Sequence, residues 1–222
     1  MLRTFWKSAV VGCLTISAVA TAAEKAAPQT AATPIELKTL LDEPLDVKHG
    51  TAWRVAKGRW EFVDGAWQGA ELAADKHGAV ARHDVSFTDA VIEFDFKLDG
   101  ARSISLSIND PQGHNSRLAI SPSEARLTKD DHDHKGPDKA EVLATLATKF
   151  EPGTWYHVKV VQHGENFNAV IGERKIDHEL QGKHGAINVK KSNIGLTVAG
   201  ESASFRKLRI KELPAGQAAS KN

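Results

Sequence analysis

Two carboxylates stand two residues apart in Glu93-Phe94-Asp95, and in an extended chain that spacing turns both to one side. Paired carboxyl groups are the equipment of glycoside hydrolysis, where retaining cleavage needs them about 5–5.5 Å apart. A third acid at the next like-facing position would complete a nucleophile, helper and acid set, but that position holds Lys97. Asp99 lies about 20 Å from Glu93 along a strand. Solvated outer-face carboxylates account for the pair equally well. The densest acidic and imidazole run is Asp130-Asp131-His132-Asp133-His134. A cation there would be held by Asp131, His132, Asp133 and His134, calcium through oxygens or zinc through the two imidazoles. The run has neither the EF-hand spacing nor a helical H-E-x-x-H, so it reads as a charged surface loop, and no metal or cofactor is expected.

Strands are what would position these groups. Ile92, Phe94, Phe96 and Leu98 alternate with Glu93, Asp95 and Lys97; after a turn, Ile104, Leu106 and Ile108 alternate with Ser103, Ser105, Ser107 and Asn109. Each such strand buries one face, which requires a second sheet about 10 Å away. Trp53, Trp60 and Trp67 recur every seven residues, yet Gly58, Gly65 and Gly69 in the same window indicate turns between short strands rather than a helical heptad. The tryptophans then pack core and rim, with one of them left as an alternative sugar-stacking platform. Arg117 to Ser121, the EARLTK stretch, Trp155 to His163, Phe167 to Ile171, NIGLTVA and SFRKLRI continue the strand rhythm, and Ile35 to Leu41 makes a short helical turn. The prediction is an all-β, two-sheet antiparallel jelly-roll sandwich. Phe94, Phe96, Leu106, Leu118, Val158, Val160, Leu196 and Leu208 form its core by their shared parity.

The ends of the chain bound its setting. Arg3 and Lys7, an uncharged run from Ser8 to Ala20 and Ala20-Thr21-Ala22 compose a signal peptide over residues 1–22. Its apolar run falls short of the roughly 20 residues of a membrane span. Export to the periplasm or medium follows, with lipoprotein anchoring at Cys13 a minor alternative. Residues 23–34 read as a flexible Ala/Pro/Thr leader, 35–213 as one domain and 214–222 as a tail. Cleavage near Ala22 removes the only cysteine, and with it thiol nucleophiles and zinc–thiolate sites. It also moves the balance of basic and acidic residues from 29 against 28 to 27 against 28, no footprint for nucleic acid or an anionic membrane. Oligomeric state is not legible.

Gly153-Thr154-Trp155-Tyr156, the Gly164-Glu165-Asn166-Phe167 hairpin, Ile194-Gly195-Leu196-Thr197-Val198 and Phe205-Arg206-Lys207-Leu208-Arg209-Ile210 together resemble the bacterial 3-keto-disaccharide hydrolase domains, members of the concanavalin A-like lectin/glucanase jelly rolls. The resemblance runs from about Trp53 to Glu212. That family's Asn-Ser-Gly stretch with an arginine close behind is not found; Ile108 to His114, followed by Arg117, stands in its neighbourhood. The resemblance implies the sandwich fold and a 3-keto disaccharide or related glycoside as substrate, cleaved by a hydrolase or lyase. A 3-ketone acidifies the neighbouring C2–H, so one general base and one oxyanion stabiliser suffice. His157 is the expected base, with Glu93 and Asp95 as its catalytic companions, and Asn109, His114, Arg117 and Lys159 as sugar contacts. Glu93, Asp95, Asn109, Arg117 and His157 are expected on one concave face. The alternative is a non-catalytic, lectin-like module that holds a glycan without turnover.

Overall fold

The computed structural model describes residues 36–46, 52–133, 135–173 and 176–214. The signal peptide, the leader, Cys13, His134 and the tail after Leu213-Pro214 lie outside the described residues.

In chain order the strands are β1 (Thr39–Glu43), β2 (Trp53–Lys57), β3 (Arg59–Val63), β4 (Ala66–Ala70), β5 (Ala79–Phe87), β6 (Ala90–Leu98), β7 (Ala101–Asp110) and β8 (Gly113–Ser121). They continue as β9 (Glu124–Lys129), β10 (Glu141–Ala147), β11 (Trp155–His163), β12 (Asn166–Glu173), β13 (Ile176–Lys183), β14 (Lys191–Gly200) and β15 (Ala203–Glu212). The first sheet runs β13-β12-β11-β6-β15-β4-β3, with β1 also on β15; the second runs β10-β9-β8-β7-β14-β5-β2. All pairs are antiparallel. Helix among the described residues is confined to two short 3₁₀ turns, Ala73–Asp75 and Gly185–Ile187.

Alternation along each strand fills the space between the sheets. Ile92, Phe94, Phe96 and Leu98 of β6 and Val158 and Val160 of β11 meet Ile104, Leu106 and Ile108 of β7 and Leu196 of β14, all buried. Leu118 and Leu208 complete the expected core set. Parity fixes this arrangement, since a slip by one residue would trade every one of these for its polar neighbour. Trp53 and Trp67 are buried edge to face with centroids 5.0 Å apart, and Trp60 packs on Trp67 at 4.4 Å, so the seven-residue spacing serves the end of the core.

Two expectations need correction. Residues 39–43 form an edge strand, not a helical turn: β4 covers only Ala203–Phe205 of β15, and β1 pairs with the remainder from Leu208 to Lys211. Between the two pairings β15 bulges, with Lys207 at φ 54° and its N–H donated to the Pro44 carbonyl at 2.7 Å. Strand β5 runs unbroken from Ala79 to Phe87. Strand β13 reaches Lys183, and residues 184–190 connect it to β14. Lastly, the charged loop after Lys129 is partly interior. Asp130 and Asp131 are buried because the loop is hydrogen-bonded onto the β7–β8 hairpin, His114 N–H to the His132 carbonyl at 3.1 Å and Asp130 N–H to the Asn115 carbonyl at 2.8 Å. Gly113 permits that approach, since a Cβ there would stand 2.2 Å from the His132 oxygen.

Candidate functional site

The residues expected to share one face are divided between the two outer faces of the sandwich. Glu93 and Asp95 on β6 and His157 on β11 face out from the first sheet; Asn109 on β7 and His114 and Arg117 on β8 face out from the second. The cause is the connection β6 to β7, which crosses from one sheet to the other, so like-facing residues on these consecutive strands point in opposite directions. Lys159 lies opposite Glu93 in register and belongs with the first group, not with the sugar contacts.

On the first sheet, Asp42, Pro44, Glu93, Asp95, His157, Lys207 and Arg209 line an open depression of about 680 Å³. Asp95 is its hub. Its Oδ1 accepts from His157 Nδ1 at 2.9 Å, and its Oδ2 accepts from Arg206 Nε at 3.0 Å and Lys207 Nζ at 3.2 Å. Partial burial alone would raise the Asp95 pKa, but the hydrogen bonds from His157, Arg206 and Lys207 outweigh it and hold the carboxyl below its ordinary value. An ionised carboxylate only accepts, so His157 Nδ1 donates to it and Nε2 faces outward, 3.9 Å from Glu93 Oε1. Asp95 therefore fixes the orientation of the imidazole and is unsuited to donate a proton. Arg206 also stacks on the outward-facing Trp155, 3.9 Å from the ring centroid. The Lys207 bulge is a strained αL turn that sets this lysine beside Asp95, and Leu45, following the Pro44 that receives its N–H, also has positive φ at 58°.

The second sheet is hollowed. Ser105, Ser107 and Asn109 point away from the core yet are only 7%, 4% and 5% exposed, because the strands around them form a groove of about 350 Å³. Register explains its shape: Arg82 of β5, Gly195 of β14, Ser107 of β7 and Arg117 of β8 form one row across four strands. The next row is Val80, Thr197, Ser105 and Ala119. Small side chains make the floor and two arginines the walls, about 14 Å apart at three strand spacings. The floor hydroxyls of Ser105 and Thr197 are hydrogen-bonded to each other. At one end a bulge between Ile108 and Asn109 on the β7–β8 pair brings His114 opposite Asn109. Asn109 Nδ2 donates to Asn193 Oδ1 at 2.7 Å, leaving its Oδ1 to accept from His114 Nδ1 at 2.9 Å. Arg117 is braced by Asp130 at 2.8 Å.

The cation alternative fares differently at each residue. His132 Nε2 meets Asp110 at 2.9 Å and its Nδ1 meets Asp138 at 3.1 Å, so both ring nitrogens serve the loop clasp. Asp133 Oδ1 accepts from the Lys135 N–H, Asp131 is buried, and His134 lies outside the described residues. Among the described residues no three His, Cys, Asp or Glu side chains are grouped to hold a metal ion. Among the described residues no tryptophan lines the groove.

A two-sheet sandwich with one hollowed outer face is a lectin-like jelly roll. Residues 39–211 match the 3-keto-alpha-glucoside-1,2-lyase-like domain, and the chain belongs to that family. No curated protein matches it. Similar solved structures include carbohydrate-binding module CBM66 from Bacillus subtilis, at 17% identity and TM-score 0.58 over 72% of this chain and 96% of that one. A legume lectin-like domain from Entamoeba histolytica gives 8% and 0.60 over 82% and 100%, and a putative glycosyl hydrolase from Parabacteroides distasonis gives 15% and 0.54 over 78% and 100%. These likenesses establish the fold.

Sequence reasoning missed Arg82, Gly195 and Thr197 in the groove and Lys207 and Arg209 in the depression. The parity of Ile194, Leu196 and Val198 already turned Gly195 and Thr197 outward. Nothing in the sequence announced the bulge that aims Lys207.

Proposed function

We propose that this domain recognises a carbohydrate in the groove of the second sheet. The observation that carries the reading is the groove itself: a floor of serine and threonine hydroxyls around a glycine, walled by amide, imidazole and guanidinium groups. Such a site offers a sugar ring both a flat seat and a ring of hydrogen-bonding partners. Family membership and a fold shared with carbohydrate-binding and lectin-like domains support a sugar ligand. Titration of the exported form with a panel of glucosides, their 3-keto counterparts and short oligosaccharides tests it. Saturable binding is expected; no binding across the panel would remove the reading.

A second reading, cleavage of 3-keto disaccharides or related glycosides, is favoured by the His157–Asp95 pair. There His157 Nε2 would take the C2 proton, the C1–O bond would break with its electrons going to the glycosidic oxygen, which receives that proton from the imidazolium and leaves as an alcohol, and an enone would remain to which water adds. Lys207 supplies positive charge for the enolate oxygen. His157→Ala should then abolish turnover while groove affinity stays within a few-fold. Unchanged turnover would remove His157 from the chemistry. Export is proposed with both readings, and mass spectrometry of the envelope fraction should find an N-terminus near Ala23. An intact Met1 or a lipid-modified Cys13 would contradict it.

A further inference from the structure

The groove's charge is one-sided. Arg82, Arg117, His77 and His114 line it, and among the described residues no aspartate or glutamate does. Nearby carboxylates are already engaged: Asp84 by Arg54 at 2.5 Å, Asp130 by Arg117 at 2.8 Å, and Asp110 by the Gln112 N–H, Asn115 and His132. Arg82 is different. No hydrogen bond or ion pair within the described residues engages its guanidinium, although its row neighbours Arg54 and Arg117 both have acidic partners.

Position gives that unpaired charge a use. Arg82 lines both the groove and the adjoining hollow around Asn109, Pro111 and Asn193, and its stem crosses Gly195, with Cγ 3.6 Å from where a Cβ would stand. A ring seated on the Gly195 and Ser107 floor would present an edge substituent to the guanidinium. Arginine's planar fork matches a carboxylate in two parallel hydrogen bonds.

Resting on the groove as the sugar site, we propose that its ligand is an acidic sugar, a hexuronic acid or glycoside, whose carboxylate pairs with Arg82. The neutral remainder of the ring is held by the serine, threonine and Asn109 groups of the floor.

The test is a set of NMR titrations of the wild-type domain with methyl glucuronide, galacturonide and mannuronide, their short oligomers, and the matching neutral glycosides. At low salt at least one uronide should bind tenfold or more tightly than its neutral counterpart, and the gap should narrow at high salt. Arg82→Gln should erase the preference, so that within this variant the uronide and its neutral counterpart bind with the same affinity to within about twofold. Arg82→Lys should keep the charge but lose most of the preference, because an ammonium lacks the fork. Both variants change an exposed side chain, and unchanged melting shows that their fold is retained. If neutral sugars bind in the groove and no uronide binds more tightly, the acidic ligand is overturned and the groove reading stands. If neither class binds, the groove reading falls first. A uronide preference that survives in Arg82→Gln would overturn the role of Arg82.

Discussion

Filling the groove at Gly195 separates fold from recognition in one position. A Cβ there would meet Ala81 O and Arg82 Cγ at 3.6 Å and Ser107 Cβ at 3.8 Å, ordinary contacts, with no left-handed backbone to strain. Gly195→Ala should therefore fold, and should gain about 0.5–1 kcal/mol because glycine in a strand loses more chain entropy than alanine. Gly195→Leu projects outward by the same parity, and its branched end occupies the floor where a ring would lie. A monosaccharide of about twelve heavy atoms at roughly 0.3 kcal/mol per atom binds with about 3.5 kcal/mol, a dissociation constant in the millimolar range. Losing half of those contacts costs about 1.8 kcal/mol, more than tenfold in affinity. Protein-observed NMR titration reads the affinity and thermal unfolding reads the fold. A leucine variant that melts like wild type and binds sugar equally well would refute the placement of the ligand.

Other consequences concern the frame around both faces. Phe94→Ala should cost about 3–5 kcal/mol by chemical denaturation, while Glu93→Ala on the opposite side of the same strand should stay within about 0.5 kcal/mol; comparable losses would contradict the register. His132 loses charge preference to burial but gains more from Asp110 and then Asp138, so its pKa is raised in the folded state. Its contribution is fully present below the unfolded histidine value and fades as pH rises through the higher folded one. The wild type should therefore exceed His132→Gln in stability at mildly acidic pH, and the difference should shrink toward alkaline pH; a pH-independent gap would oppose this. Lys191 is buried with Nζ donating to the Ile187 and Val189 carbonyls at 2.6 Å, and desolvation lowers its pKa to about 8. Between that value and the ordinary lysine value of 10.5 the unfolded chain keeps a proton the folded one has released, so this group adds stability as pH rises through that window. Subtracting the pH–stability curve of Lys191→Met from that of wild type should isolate this rise, and a flat difference would refute it.

Much of the fold was legible because period-2 alternation is a local signal. Ile92 to Leu98 and Ile104 to Ile108 declare their buried sides without reference to any partner strand. The site was legible only in pieces. Glu93, Asp95 and His157 do meet, because β6 and β11 are neighbours, and Asn109, His114 and Arg117 meet because β7 and β8 form a hairpin. What parity cannot convey is which sheet a strand joins, and the β6–β7 crossing separated the two trios. Bulges are equally hidden: one extra residue at Lys207, and another at Asn115, re-aim side chains that strict alternation would place elsewhere. The weak amphipathy of Thr39–Glu43 concealed an edge strand whose partner lies far away in sequence.

The most direct measurement of the central claim is a backbone amide NMR map of the domain under saturating sugar. Shift changes are predicted along the row from Arg82 through Gly195 and Ser107 to Arg117, extending to Ser105, Thr197, Asn109 and His114, with His157, Glu93 and Asp95 on the far face unmoved. Changes centred instead on His157, Asp95 and Lys207, with the second sheet silent, would contradict it.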